Sequence, residues 1–242
     1  MKVSFKIKQQ IAQTLGNYDF CCIGCRRDIF DGLYLCKDCL KLLSYNNGKT
    51  CDNCGTAIYG ISNYCSKCGK RECYFKRAYS PLIFEGEVQR LMHSFKFGGR
   101  SSYALPFAKL LADYFACLNL DIDLVTSVPM HEIDKKERGY NQSYLLASSF
   151  CDILGLKYVQ TLEKIKQTQP QEKLNYVERM RNLNNAFQLI DKNIIKDKNI
   201  LLIDDVLTTG ATANECSRIF SKANATTYVL TLASRKETIK TE

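Results

Sequence analysis

The stretch Asn199-Ile200-Leu201-Leu202-Ile203-Asp204-Asp205-Val206-Leu207-Thr208-Thr209-Gly210-Ala211-Thr212 decides how the chain is read. It opens on a short apolar run, the pattern of a strand buried on both faces of a parallel sheet. Two adjacent carboxylates, Asp204 and Asp205, are expected at the strand's end, followed by a small, hydroxyl-rich turn. Beyond the turn the period changes, and Ala213, Cys216, Ile219, Phe220 and Ala223 mark one side of a helix. A turn between a strand and a helix N-terminus presents backbone N–H groups and the positive end of the helix dipole. Thr208, Thr209 and Thr212 add hydroxyl donors, and Gly210 lets the backbone approach a ligand closely. The chemistry is that of an anion cradle beside two carboxylates, suited to a phosphate on one side and to sugar hydroxyls or Mg²⁺ on the other. The plainer reading is a strand–turn–helix with a capping Thr and a solvated Asp pair.

The 242 residues accommodate one medium domain plus a small module, or two small domains. An apolar fraction of 45% and a charged fraction of 24% are those of a globular protein. No apolar run approaches the roughly 20 residues that span a bilayer. Met1 to Leu15 is broken by Lys2, Lys6 and Lys8 and has no signal-peptide core, so a cytoplasmic location is expected. The formal charge of +9 attracts polyanions and phosphorylated ligands without specifying which.

Thirteen cysteines in such a chain suggest thiols or metal ligands rather than disulfides. Cys22-x₂-Cys25 and Cys36-x₂-Cys39 are followed, at an offset of 29 residues, by Cys51-x₂-Cys54 and Cys65-x₂-Cys68. Each CxxC can present two thiolates to one metal, and two of them complete a tetrahedral Cys₄ site. Two structural Zn²⁺ sites are therefore expected, closed by protein ligands and not catalytic. Pairing Cys36/Cys39 with Cys51/Cys54 would satisfy the same chemistry; the repeat favours pairing within each module. Cys21 and Cys73 are left over. The organisation expected is a segment 1–20, a double zinc-ribbon module over 21–73, and an α/β domain over 74–242.

Within that domain Val88, Leu91, Met92 and Phe95 form a helical stripe closed by Gly98-Gly99, and Phe107, Leu110, Leu111, Tyr114 and Leu118 form another. Lys76, Arg77, Lys96 and Arg100 flank the first as a basic rim. Leu124 to Val128 reads as a strand leading into Pro129-Met130-His131 at the sheet's carboxyl edge, where open α/β sheets bind ligands. Lys135 to Gln142 reads as a polar, basic loop in which Arg138 can meet a pyrophosphate by bidentate hydrogen bonds. A helix with Leu146, Phe150, Ile153 and Leu154 follows. Lys166 to Asn185 suits a lid or a surface helix, and Thr226 to Ala233 reads as a further strand.

The string from Leu202 to Thr212 closely resembles the PRPP-binding loop of type I phosphoribosyltransferases. That resemblance implies that Asp204 and Asp205 hold the ribose 2′- and 3′-hydroxyls and that Thr208, Thr209, Gly210, Ala211 and Thr212 wrap the 5′-phosphate. Purine-salvage relatives carry an acidic residue near the middle of this loop, where Thr208 stands here. Three segments together resemble the ComF family of competence proteins. They are Val128-Pro129-Met130-His131 with Glu137 to Gln142, Gln167-Thr168-Gln169-Pro170 with Arg181-Asn182, and Leu202 to Thr212. The double CxxC module fits the same family. The resemblance implies a zinc ribbon fused to a phosphoribosyltransferase-like fold, with Pro129, Met130, His131 and Arg138 on the pyrophosphate side and Mg²⁺ accompanying PRPP.

It further implies a protein that binds PRPP or a nucleotide and assists the handling of single-stranded DNA in natural transformation, alongside competence or DNA-processing proteins. Tyr59, Tyr64, Tyr74 and Phe75, interleaved with Lys67, Lys70 and Arg71, are candidates for stacking bases, against the plainer reading of packing between the modules. The alternative is an active phosphoribosyltransferase acting on a nucleobase or amine. No residue stands out as catalytic, and a binding-only metabolite sensor has the same sequence signature.

Overall fold

β6 (Asn199–Leu207) is the centre of a parallel sheet. The computed structural model describes residues 21–29, 34–168 and 176–237. Elements are numbered in chain order among these. Ile200, Leu201, Leu202 and Ile203 are all fully buried, as a strand covered on both faces requires. β6 lies between β3 (Leu124–Ser127) and β7 (Thr226–Ser234), and β1 (Arg77–Tyr79) and β2 (Leu82–Ile83) both pair with β7. Every one of these pairings is parallel. Beyond β3 the chain adds one further parallel bridge, Val125 with Tyr158. A separate antiparallel pair joins β4 (Leu162–Lys164) to β5 (Phe187–Leu189).

Helices cover both faces. α2 (Gly86–Phe97) buries Val88, Leu91, Met92 and Phe95, the stripe expected from sequence. α3 (Ala104–Phe115) and α5 (Gln142–Leu154) pack on one another, α3 reaching β7 and α5 reaching β3 and β6. α8 (Ala211–Ser221) lies along β6 and β7, with α6 (Tyr176–Leu183) and β5 beside it. The short α7 (Lys192–Ile195) leads into β6. None of the described helices is long and apolar enough to cross a membrane.

Several local expectations change. The carboxylate pair does not end its strand: β6 continues through Val206 and Leu207, which pair with Ala233 and Ser234. Lys135 to Arg138 is not a loop but most of α4 (Glu132–Arg138). Acidic residues in its first turn, basic ones in its last and Gly139 at φ 84° after it are standard helix-ending chemistry, which charge density masked in the sequence. Ile153 and Leu154 sit at the surface end of α5 rather than in the core. Residues 169–175, between Thr168 and α6, lie outside the described residues, and so do Gln169 and Pro170 of the quoted motif.

The chain divides into two compact units between Leu42 and Leu43. The first Cys₄ cluster belongs to the smaller unit, which includes α1 (Lys37–Lys41). The second belongs to the larger unit, so the Tyr74 boundary expected from cysteine density falls inside that unit. The cause is shared packing. Cys51, Cys54, Ile58, Cys65, Cys68 and Phe75 join one apolar cluster with Leu207, Ala211 and Phe220. Gly55, at φ 65°, lies so close to β1 that a Cβ there would stand 2.4 Å from the carbonyl of Ala78.

Candidate functional site

The two cysteine modules repeat in backbone as well as sequence. Cys22 N–H donates to Arg27 and Cys51 N–H to Thr56; the isolated bridges Cys21–Asp28 and Thr50–Ala57 also correspond. In each module the last cysteine's N–H points at a neighbouring sulfur, Cys39 to Cys36 at 3.5 Å and Cys68 to Cys65 at 3.4 Å. The Sγ atoms of Cys22, Cys25, Cys36 and Cys39 lie within 4.8 Å of one another, as do those of Cys51, Cys54, Cys65 and Cys68. The ligand sets thus close within modules, and Cys21 and Cys73 belong to neither. Cys25 and Cys36 are 3.8 Å apart and Cys54 and Cys65 3.7 Å. A tetrahedron with metal–sulfur bonds of about 2.3 Å has edges of about 3.8 Å, so both clusters fit zinc.

At the carboxyl edge of the sheet a cleft of about 960 Å³ opens over Asp204, Asp205 and the loop behind them. That volume lies at the upper end of small-molecule sites. Thr208, Thr209, Gly210, Ala211 and Thr212 all line it, as do Pro129, Met130 and Arg138 from the other side. His131 does not line it. Its Nδ1 instead accepts from Ile133 N–H and caps α4.

Each carboxylate is held by its own partner. Ser143 Oγ donates to Asp204 Oδ1 at 2.7 Å, and the N–H of Asp205 donates to the same oxygen at 2.9 Å. Lys96, at the end of α2, reaches Asp205 Oδ2 at 2.9 Å. Asn141 arranges both sides: Oδ1 caps α5 ahead of Ser143, and Nδ2 donates to the carbonyl of Val128 before the Pro129 turn. Withdrawal from solvent, and then the charge of Asp205, push the Asp204 carboxyl up to about 7. Across the cleft Arg138 stacks on Phe97, 4.8 Å from the ring centre, and donates to Gln142. Lys164 is 3.4 Å from Asp134, and burial lowers its pKa.

The loop itself turns on Gly210 at φ 74°, where α8 begins. Thr209 Oγ1 accepts from Ala211 N–H at 3.3 Å. Thr208 Oγ1 accepts from Arg179, which is buried. Among the described residues nothing accepts from the N–H groups of Thr209 and Gly210. Main-chain donors without a partner at a helix N-terminus are the usual means of holding an anion.

Comparison by sequence finds relatives over most of the chain that carries this cleft and the two Cys₄ clusters. Competence protein F of Haemophilus influenzae is 30% identical over 218 residues, covering 85% of this chain and 92% of that one. The chain belongs to the ComF family. DNA utilization protein YhgH of Salmonella typhimurium is 30% identical over 183 residues, 73% of this chain and 80% of that protein. Competence protein ComFC of Bacillus subtilis is 25% identical over 190 residues, 76% of each. No protein-family model matches the chain. Among solved structures, the allosteric regulatory enzyme of purine biosynthesis superposes with a TM-score of 0.40 at 17% identity, over 58% of this ComF chain and 30% of that chain. An adenine phosphoribosyltransferase from Thermoanaerobacter pseudethanolicus gives 0.36 at 18% identity, over 55% and 68%. Superpositions this loose place no ligand.

Four polar partners in this ComF site escaped the sequence reading of its chemistry. Ser143 and Lys164 carry no local signal, Arg179 stood unassigned in a polar segment, and Arg71 was grouped with Lys67 and Lys70 beside the candidate stacking aromatics. Arg71 in fact donates to the carbonyl of Thr209, and Phe75 is in the core. Tyr59, Tyr64 and Tyr74 remain exposed.

Proposed function

We propose that the cleft binds PRPP, or a nucleotide presenting the same ribose 5-phosphate, and that the chain uses this ligand in handling single-stranded DNA. The observation that carries the reading is the pair of N–H groups at Thr209 and Gly210, without an acceptor among the described residues, in the loop that follows the strand bearing Asp204 and Asp205. The 5′-phosphate sits on those N–H groups at the head of α8, and the ribose hydroxyls donate to the two carboxylates. Asp204 Oδ2 accepts from no protein group among the described residues and is open to a hydroxyl. On Asp205, Lys96 occupies Oδ2 until the sugar arrives.

Pro129 and Met130 shape the opposite wall, where Arg138 offers a planar cation to the pyrophosphate. Mg²⁺ bound with PRPP supplies further charge compensation for the phosphates. The carboxylate pair suits that pairing, because two acids and one lysine leave negative charge to spare. Zn²⁺ in the Cys₄ clusters supplies folding energy rather than chemistry, since four thiolates close its coordination.

The names of the relatives, in competence and DNA utilization, support the nucleic-acid part, as does the net charge of +9. Lys49, Lys67 and Lys70 stand in the same module as the exposed Tyr59 and Tyr64 and offer phosphate contacts beside stacking faces. Retention of both carboxylates favours a second reading, transfer of the ribose 5-phosphate to a nucleobase or amine. Thr208 weighs against it, because its hydroxyl is engaged by Arg179. Titration of zinc-loaded protein with PRPP and Mg²⁺ tests the first reading. Wild type should bind at one site and Asp205→Ala at least about tenfold more weakly, as loss of one charge-assisted hydrogen bond requires. Equal affinity of the two would contradict it. Pyrophosphate release on adding nucleobases separates the second reading from the first.

A further inference from the structure

The second Cys₄ cluster and the phosphate loop share one side chain. Arg71, three residues beyond Cys68, donates through Nη1 to the carbonyl oxygen of Thr209 at 2.6 Å. Its Nη2 lies 3.6 Å from Cys68 Sγ. The same nitrogen stands 3.4 Å from where a Cβ on Gly210 would be. The residues that follow extend the attachment: Tyr74 N–H donates to Asn214 Oδ1 at 2.7 Å, and Asn214 Nδ2 donates to the carbonyl of Glu72 at 3.4 Å. Asn214 is buried in the first turn of α8.

The carbonyl that Arg71 holds and the N–H of Gly210 belong to one peptide group. A trans peptide sets its N–H opposite its C=O, and no cis bond occurs among the described residues. Fixing the Thr209 carbonyl on Arg71 therefore turns the Gly210 N–H away from the zinc module. Left unheld, that peptide would rotate, because Gly210 opposes rotation less than any other residue. At the corresponding position of the first module the repeat places Leu42, which has no such donor.

We propose that the second zinc site is the strut of the phosphate loop, with Arg71 as the positioning residue that connects metal binding to the loop's N–H groups. The metal fixes the Cys65–Cys68 knuckle, the knuckle fixes Arg71, and Arg71 fixes the Thr209–Gly210 peptide. Because such coupling is reciprocal, a phosphate ester that orders the loop must also retain this zinc and not the first. The ligand half of the inference rests on the reading of the cleft given above; the strut itself does not.

Two measurements on the full, zinc-loaded chain test it. The first needs no ligand: hydrogen exchange of the Ala211 and Asn214 amides, which bond to Thr209 Oγ1 and the Gly210 carbonyl. Arg71→Ala should keep two zincs by elemental analysis and exchange these amides at least about tenfold faster, as local opening predicts. Where Arg71→Ala fails to hold its metal, Arg71→Lys, which keeps a cation beside Cys68, takes its place. Unchanged exchange in a variant that retains both zincs overturns the strut. The second is zinc release to a colorimetric chelator with and without PRPP and Mg²⁺. One of the two zincs should leave at least about tenfold more slowly with PRPP, and that protection should vanish in the Arg71 variant. Equal release in a wild-type chain that binds PRPP overturns the coupling. A wild type that binds no PRPP removes the cleft reading alone, and the exchange comparison then decides the strut.

Discussion

Replacing Asp204 by Asn should stabilise the ligand-free protein above neutral pH and leave it unchanged in acid. Burial first and Asp205 second hold the Asp204 carboxyl at about 7 in the folded chain. In the unfolded chain it titrates near 4. The folded state therefore binds the proton more tightly, and stability falls as pH rises between those values. At about 1.4 kcal/mol for each tenfold in proton activity, the loss is complete above pH 7 at roughly 4 kcal/mol as an upper bound. An Asn side chain keeps an acceptor for Ser143 Oγ and for the N–H of Asp205, the two donors on Asp204 Oδ1. It also removes the charge facing Asp205. We expect Asp204→Asn to gain about 2–4 kcal/mol at pH 8 and less than about 0.5 kcal/mol near pH 4. Urea denaturation of both proteins across this range, with zinc present throughout, measures the difference. A gain that does not depend on pH, or a loss at pH 8, would refute the reasoning.

Other outcomes follow from the same geometry. Elemental analysis of protein expressed without added metal should find close to two zincs per chain; Cys22→Ser should lose one, while Cys51→Ser should lose the other and also lower the unfolding midpoint of the larger unit, whose core its cluster shares. Gly210→Val should abolish PRPP binding at a cost of about 1–3 kcal/mol in stability, because φ 74° strains a branched residue and its side chain would grow toward Arg71; calorimetry and thermal unfolding read the two effects. Binding of single-stranded DNA should weaken steeply with salt and depend little on sequence, with Lys67→Ala and Lys70→Ala together flattening the salt slope by about one to two charges in fluorescence anisotropy.

How far the sequence could be read depended on whether the signal was local. The zinc clusters were legible because their ligands lie at fixed spacing, and the backbone repeats that spacing. β6 and α8 were legible because an apolar run and a change of period mark a buried strand and the helix after it. The pairing order of the sheet and the partners of the carboxylates were not, because Ser143 and Lys96 meet Asp204 and Asp205 across 61 and 109 residues of chain. The bond from Arg71 to the loop was hidden for the same reason: beside Lys67 and Lys70 it has the composition of a basic patch, and only the packing of the second module on the loop turns it inward. α4 was hidden by its charge, since a helix with no buried residue has no apolar stripe to find.

The central claim is that one cleft takes the ribose on Asp204 and Asp205 and the 5′-phosphate on the loop. A crystal structure of the zinc-loaded chain with PRPP and Mg²⁺ tests it most directly. The account predicts both ribose hydroxyls within hydrogen-bond distance of the two carboxylates, Lys96 displaced from Asp205, and the 5′-phosphate on the N–H groups of Thr209 and Gly210. PRPP bound elsewhere, or absent with the loop unchanged at saturating concentration, would contradict it.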